Sequence, residues 1–159
     1  ASALSLLATA VPASAKDKGY LTLSEYNALK QQEKKDEEIY GKFEALRARA
    51  YQTTEFVGLA EKDDFAGISK LALAWDSSIR KELLEKASGA LDGDAKEKGA
   101  KINKAVLADL KGLDKLAKAG KKEEVADASS KLKEDVLAFV ALTPQKLTDK
   151  FGVSDIGDL

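Results

Sequence analysis

From Ala13 to Thr143 the chain contains no proline; the only two stand at Pro12 and Pro144. Between them Ala, Leu, Lys and Glu predominate, the residues that lose least on entering a helix. Apolar residues recur every three or four positions and hardly ever alternate as in a half-buried strand. A long run with these properties can become little other than helices packed on one another.

The punctuation divides that run into four. Thr22 with Glu25 three residues later resembles a capping box, and Ile39, Phe43, Leu46, Ala50 and Val57 stripe a long first helix expected to end near Gly58. Asp63 or Asp64 caps a second, whose inward residues are Phe65, Ile68, Ala72, Trp75, Ile79, Leu83 and Ala87. Gly89 and the run Leu91 to Asp94 break the chain. A third helix carries Ile102, Val106, Leu110, Leu113 and Ala117 and stops at Gly120. The fourth carries Val125, Leu132, Val136, Phe139 and Leu142, and Thr143-Pro144 closes it. The expected fold is all-α: an up-down-up-down four-helix bundle over residues 16–143, with a short C-terminal tail over 144–159. Leu147, Phe151, Val153, Ile156 and Leu159 let the tail pack back on the bundle or dock on a partner; packing back is the expectation.

The first fifteen residues differ in kind. Leu4, Leu6, Leu7 and Val11 form a short apolar region, Pro12 breaks it, and Ala13-Ser14-Ala15 offers the small residues of a cleavage site. The segment is too short to span a bilayer, which takes about 20 residues. Residues 1–15 are expected to be the remnant of a transfer signal, with the working chain starting near Lys16 after crossing a membrane. A flexible Ala/Ser-rich arm is the plainer alternative.

Composition narrows the chemistry. Cysteine and histidine are both absent, so disulfides, thiolate chemistry and the commonest transition-metal ligand are unavailable, as is the usual general base near neutral pH. Asp92-Gly93-Asp94 does not begin a calcium loop, because Lys96 and Lys98 occupy positions that need oxygen ligands. The acidic clusters Asp36-Glu37-Glu38 and Glu123-Glu124 read as solvated helix faces. Trp75 reads as core rather than as a ligand platform, and Tyr20, Tyr26, Tyr40 and Tyr51 could line an interface or be partly buried. No catalytic, cofactor or metal residues are assigned, and no enzymatic activity is expected.

Charge is distributed unevenly. The chain has 26 basic and 27 acidic residues, yet Ala95 to Lys122 holds nine lysines against three acids. Such a face is ordinarily just solvated; its functional reading is docking on an acidic protein surface, with Lys101, Lys104, Lys111 and Lys115 as candidate contacts. Scarce arginine and the lack of interleaved aromatics argue against nucleic acid.

At this point the residues resemble the PsbQ family, the extrinsic lumenal subunits of photosystem II. Phe65 opens the second helix and Ile79-Arg80-Lys81-Glu82-Leu83 follows at a matching distance; Leu113-Asp114-Lys115-Leu116-Ala117-Lys118 fits the Leu-Asp-x-x-Ala-Lys end of the third. The likeness covers roughly Glu61 to Leu142. The Pro-rich N-terminal extension of the plant proteins is absent and the tail beyond Pro144 is additional, so a red-algal or diatom-type subunit looks closer. The resemblance implies a non-catalytic subunit, peripheral on the lumenal face of the chloroplast thylakoid membrane. There it would contact core antenna loops and other extrinsic subunits, stabilise the oxygen-evolving complex and help retain calcium and chloride. On that reading residues 1–15 are the residue of a thylakoid-transfer signal. The alternatives are a similar subunit of another lumenal complex of NDH type, or a secreted or periplasmic helical module with a ligand in its core.

Overall fold

A computed structural model describes residues 19–152; the expected signal segment 1–15 and residues 153–159 of the tail lie outside the described residues. The chain divides into two compact units, 1–37 and 38–159. Every regular element among the described residues is helical. Helix α1 (Leu23–Ala50) gives its first part to one unit and its remainder to the other.

In the first unit the expected capping box is present. Thr22 N–H donates to Glu25 Oε2 at 3.0 Å and Glu25 N–H to Thr22 Oγ1 at 3.2 Å, so each side chain satisfies a backbone donor the helix would leave unpaired. The helix beyond is polar nearly all round and carries local pairs such as Gln32 with Asp36 (2.8 Å) and Lys30 with Glu33 (3.9 Å). Tyr20, Leu21, Leu23, Tyr26 and Leu29 are all exposed.

The second unit holds the core. The last part of α1 contributes Phe43, Leu46 and Ala50; α2 (Thr54–Glu61) contributes Phe56 and Ala60; α3 (Phe65–Trp75) contributes Ile68, Ala72 and Trp75. Helix α4 (Gly93–Lys118) adds Val106, Leu110, Leu113 and Ala117, and α5 (Val125–Val140) adds Val125, Leu132, Val136, Phe139 and Val140. These five helices pack against one another, with α4 lying most extensively along α5 and α3, and α2 against α5 and α3. The tail begins with a further helix, α6 (Gln145–Phe151), which packs back as expected: Leu147 is buried, and the Phe151 ring stacks on Tyr40 with centroids 5.6 Å apart.

Two corrections to the expected stripes share one cause, a change of helical pitch. The first helix does not run to Gly58. It tightens into a 3₁₀ turn at Tyr51–Thr53, where the Thr53 hydroxyl donates to Ala50 O at 3.0 Å. Three residues per turn bring Ala50, Thr53 and Phe56 onto one face. Phe56 is therefore buried, while Val57, the residue expected inward, is only half-buried.

The second helix loosens instead. After Trp75 it continues as a ten-residue π-helix, Asp76–Glu85. Its five-residue spacing aligns Ile79 with Leu84, so Leu84 is fully buried and the expected Leu83 only half-buried. Serine hydroxyls stand at both ends of this segment. Ser77 donates to Leu73 O and Ala74 O, Ser78 to Ala74 O at 2.6 Å, and Ser88 to Leu84 O at 2.8 Å. Bonds of this kind cover carbonyls that the ordinary α ladder would use, which eases its departure from α spacing.

The connections follow their expected punctuation. Lys62 ends α2, Asp63 takes a left-handed φ of 56°, and Asp64 N–H returns to Leu59 O at 2.9 Å. The same Asp64 then caps α3 by accepting from Gly67 N–H at 2.9 Å. At the end of α4, Gly120 (φ 66°) and Lys121 N–H bonded to Leu116 O form a Schellman stop.

Phe139 stacks on Phe43 at 5.5 Å with 15° between the rings, which joins α5 to α1 in the core. Phe139→Ala should therefore cost about 3–5 kcal/mol of unfolding free energy, read by urea titration. Val57→Ala should cost well under half of that, because Phe56 holds the buried position.

Candidate functional site: the lysine face of helix α4 and the charge pairs around it

A helix turns by about 100° per residue, so the four lysines singled out in the sequence fall within roughly an 80° arc of α4. That arc lies nearly opposite the buried Gly99, Val106, Leu110, Leu113 and Ala117. Lys101, Lys104, Lys111 and Lys115 are all exposed, and none makes an ion pair with another described residue. By contrast, Lys118 in the last turn is tied to Asp114 at 2.8 Å, and Lys122 beyond it reaches Asp63 at 3.3 Å. The structure thus brings the four candidates together on one face with their charges unspent.

Behind this face lie two sets of charges that the apolar pattern did not reveal. The first centres on Arg80, whose side chain is only 10% exposed. Its Nε donates to Asp76 in a very short contact, and Nη1 donates to Glu85 Oε1 at 2.9 Å and to Asn103 Oδ1 of α4 at 3.1 Å. The pairing with Glu85 spans five residues, a reach supplied by the π spacing. Hydrogen bonding to Arg80 holds the Asp76 carboxyl below its ordinary range, and Asp76 in turn raises Arg80. A planar guanidinium with five donors suits three acceptors at three positions. The arrangement is a clamp between the π segment and α4.

The second set lies between α4 and α5. Asp109, 6% exposed, accepts from Lys131 Nζ at 3.1 Å, and the same ammonium reaches Asp135 at 2.8 Å. The other oxygen of Asp109, Oδ2, is buried without a donor. Burial, and then the neighbouring Asp135 carboxylate, push the Asp109 carboxyl up to about 7. Asp135 is lowered, since Asp109 and Lys131 both donate to its ionised form. One proton held between the two carboxyls satisfies Oδ2 and removes a buried like-charge contact.

The aromatics settle into ordinary roles. Trp75 is buried, tilted against Phe56 at 6.0 Å. Tyr51 is exposed under Lys133, whose Nζ sits 4.6 Å from the ring centroid. Tyr20 and Tyr26 are exposed, and Tyr40 is half-buried against Phe151. Among the described residues no three carboxylates are grouped to hold a metal ion, and no helix is long and apolar enough to cross a membrane. Comparison with family models, curated proteins and solved structures finds no significant match.

Two tests follow from the buried charges. Arg80→Ala should destabilise the fold by about 2–4 kcal/mol, because Asp76 and Asn103 lose their donor. Arg80→Lys should recover only part of this in denaturant titration, having one point charge for three acceptors. For Asp109 the folded value lies above the unfolded one near 3.9. The native state therefore keeps a proton that the unfolded chain has released, and stability should fall as pH rises from about 4 to about 7. The slope is at most about 1.4 kcal/mol per pH unit for one proton. Asp109→Asn mimics the protonated form. It should flatten this slope and stabilise the protein by the order of 1–3 kcal/mol at pH 7.5, by less at pH 5, and with little change below about pH 4.

Proposed function

We propose that the chain is a non-catalytic docking subunit of the PsbQ type, held by charge on the lumenal face of photosystem II. The observation that carries the proposal is the unpaired lysine face of α4, set on the side of the helix that the core does not use. A rigid helix presenting four free ammonium groups offers an acidic protein surface long-range attraction and a fixed register. The order of elements supports the same reading. The π segment carrying Arg80 and the Leu113 to Lys118 stretch, which bear the family likeness, form the clamp beside this face and the last turns of α4. In this reading the arm formed by the end of α1 with α2, the arm formed by α3 with its π continuation, α4 and α5 stand for the four arms of an up-and-down bundle. The apolar filling of the core favours a docking role over a helical module that holds a ligand inside. Retention of calcium and chloride then follows from covering the site on the larger complex, with no metal bound by this chain.

Washing isolated thylakoids with about 1 M salt, where charge acts over only about 3 Å, should release the chain together with oxygen evolution. Calcium, chloride or added chain should restore the activity. Release without any effect on oxygen evolution, or co-purification with a different lumenal complex, would move the function to that partner. In rebinding to the stripped membranes, K101E/K104E/K111E/K115E should weaken affinity at least about tenfold at low salt and leave the residual binding less sensitive to salt. Unchanged binding would remove the lysine face from the interface.

A further inference from the structure

On helices α2 to α6 a single large apolar residue, Leu73, is exposed among the described residues, at 71%. Isolated surface leucines are common and need no explanation. This one stands at the lip of a cleft of about 140 Å³ between α3 and α4, with Ala72, Leu107 and Leu110 as its other apolar walls. An apolar cavity of about 150 Å³ is large enough to take a benzene ring. The cleft thus has room for one bulky side chain.

Its rim has an uneven charge. Asp76, Lys111 and Asp114 border it. Asp76 is already engaged by Arg80 and by Lys81 at 3.5 Å, and Asp114 by Lys118 at 2.8 Å. Lys111 makes no ion pair with a described residue, and it stands one helical turn from Leu107 on the lysine face. The charge left to spend at the rim is positive. We infer that the α3–α4 cleft receives one bulky apolar side chain from an acidic segment of a partner protein, with Lys111 pairing with a carboxylate beside that side chain. The inference rests on the docking reading for the choice of a protein partner, and it names the anchor which that reading lacks. Charge alone steers and orients, whereas an apolar side chain enclosed by a charged rim supplies the short-range part of the affinity.

Titration of the isotopically labelled full chain with the synthetic peptide Ac-EDFDE-amide tests this directly by nuclear magnetic resonance. Saturable shifts are expected at Leu73, Leu107 and Lys111. The same peptide with alanine in place of phenylalanine should bind about tenfold more weakly or worse. Leu73→Gln, uncharged and at an exposed position, should reduce the phenylalanine peptide to the level of the alanine one while leaving the alanine peptide unchanged. Lys111→Ala should weaken both peptides. Equal binding of the two peptides, or absence of saturable shifts at the cleft, overturns the inference. So do shifts produced by concentrating the protein alone, which would place a second copy in the cleft. Shifts with phosphatidylglycerol vesicles that the peptide cannot displace would assign the face to a lipid surface and overturn it as well. Membrane rebinding unaffected by Leu73→Gln, together with equal peptides, would remove the cleft and leave the docking reading standing. A selective peptide response without binding to photosystem II membranes would keep the cleft and remove that partner.

Discussion

The approach of α4 to α5 around Phe139 holds the rest of the second unit in place. Gly99 eases it: a Cβ there would stand 3.3 Å from Phe139 Cε2, tighter than ordinary contact, and 2.8 Å from Cδ1 at the end of the Leu91 side chain. Glycine in a helix interior costs about 1 kcal/mol relative to alanine, so packing is what repays its presence. Phe139 then lies against α4 on one side and stacks on Phe43 of α1 on another. With α4 fixed on its buried side, its opposite face is left to solvent, and the four lysines on that face become a surface of defined geometry.

The helical rods keep contact with this centre by changing pitch. A strict 3.6-residue stripe would put Val57 and Leu83 inward. The 3₁₀ turn at Tyr51–Thr53 and the π segment Asp76–Glu85 substitute Phe56 and Leu84. π-helices are rare and are usually confined to single turns. Here the altered spacing places Arg80 where it can meet Asp76, Glu85 and Asn103 together, so the clamp and the change of pitch belong to one feature. Arg80 was legible in the sequence only as part of a family-like cluster. Its burial was not, because a charged residue beside Ile79 on an α-helical wheel points away from the core.

The charge pattern divides in a similar way. Lysine outnumbers acid along α4 so heavily that a basic face could be read directly from spacing, and the structure puts the four candidates on one side of the helix. Which lysines keep a free charge depended in part on neighbours distant in sequence: Lys118 pairs locally with Asp114, but Lys122 is taken up by Asp63. The elevated Asp109 was invisible for the same reason. Nothing within a helical turn of Asp109 marks it out, and its state is decided by burial and by Lys131 and Asp135 of α5, more than twenty residues away. The apolar cleft at Leu73 likewise joins residues of α3 and α4 that only packing makes neighbours.

What the sequence determined by itself was therefore local: helical stretches between the two prolines, the Thr22–Glu25 box, the Asp64 cap, the Gly120 stop, most of the core stripes and the basic side of α4. Each rests on interactions within about four residues, or on a repeat that any amphipathic helix must show. The tertiary structure alone decided where the helices tighten and loosen, which charges are buried together, and which apolar residue remains at an open cleft. Those outcomes depend on side-chain volumes and dielectric surroundings brought together from separate helices, and such information is not carried by any single turn of the chain.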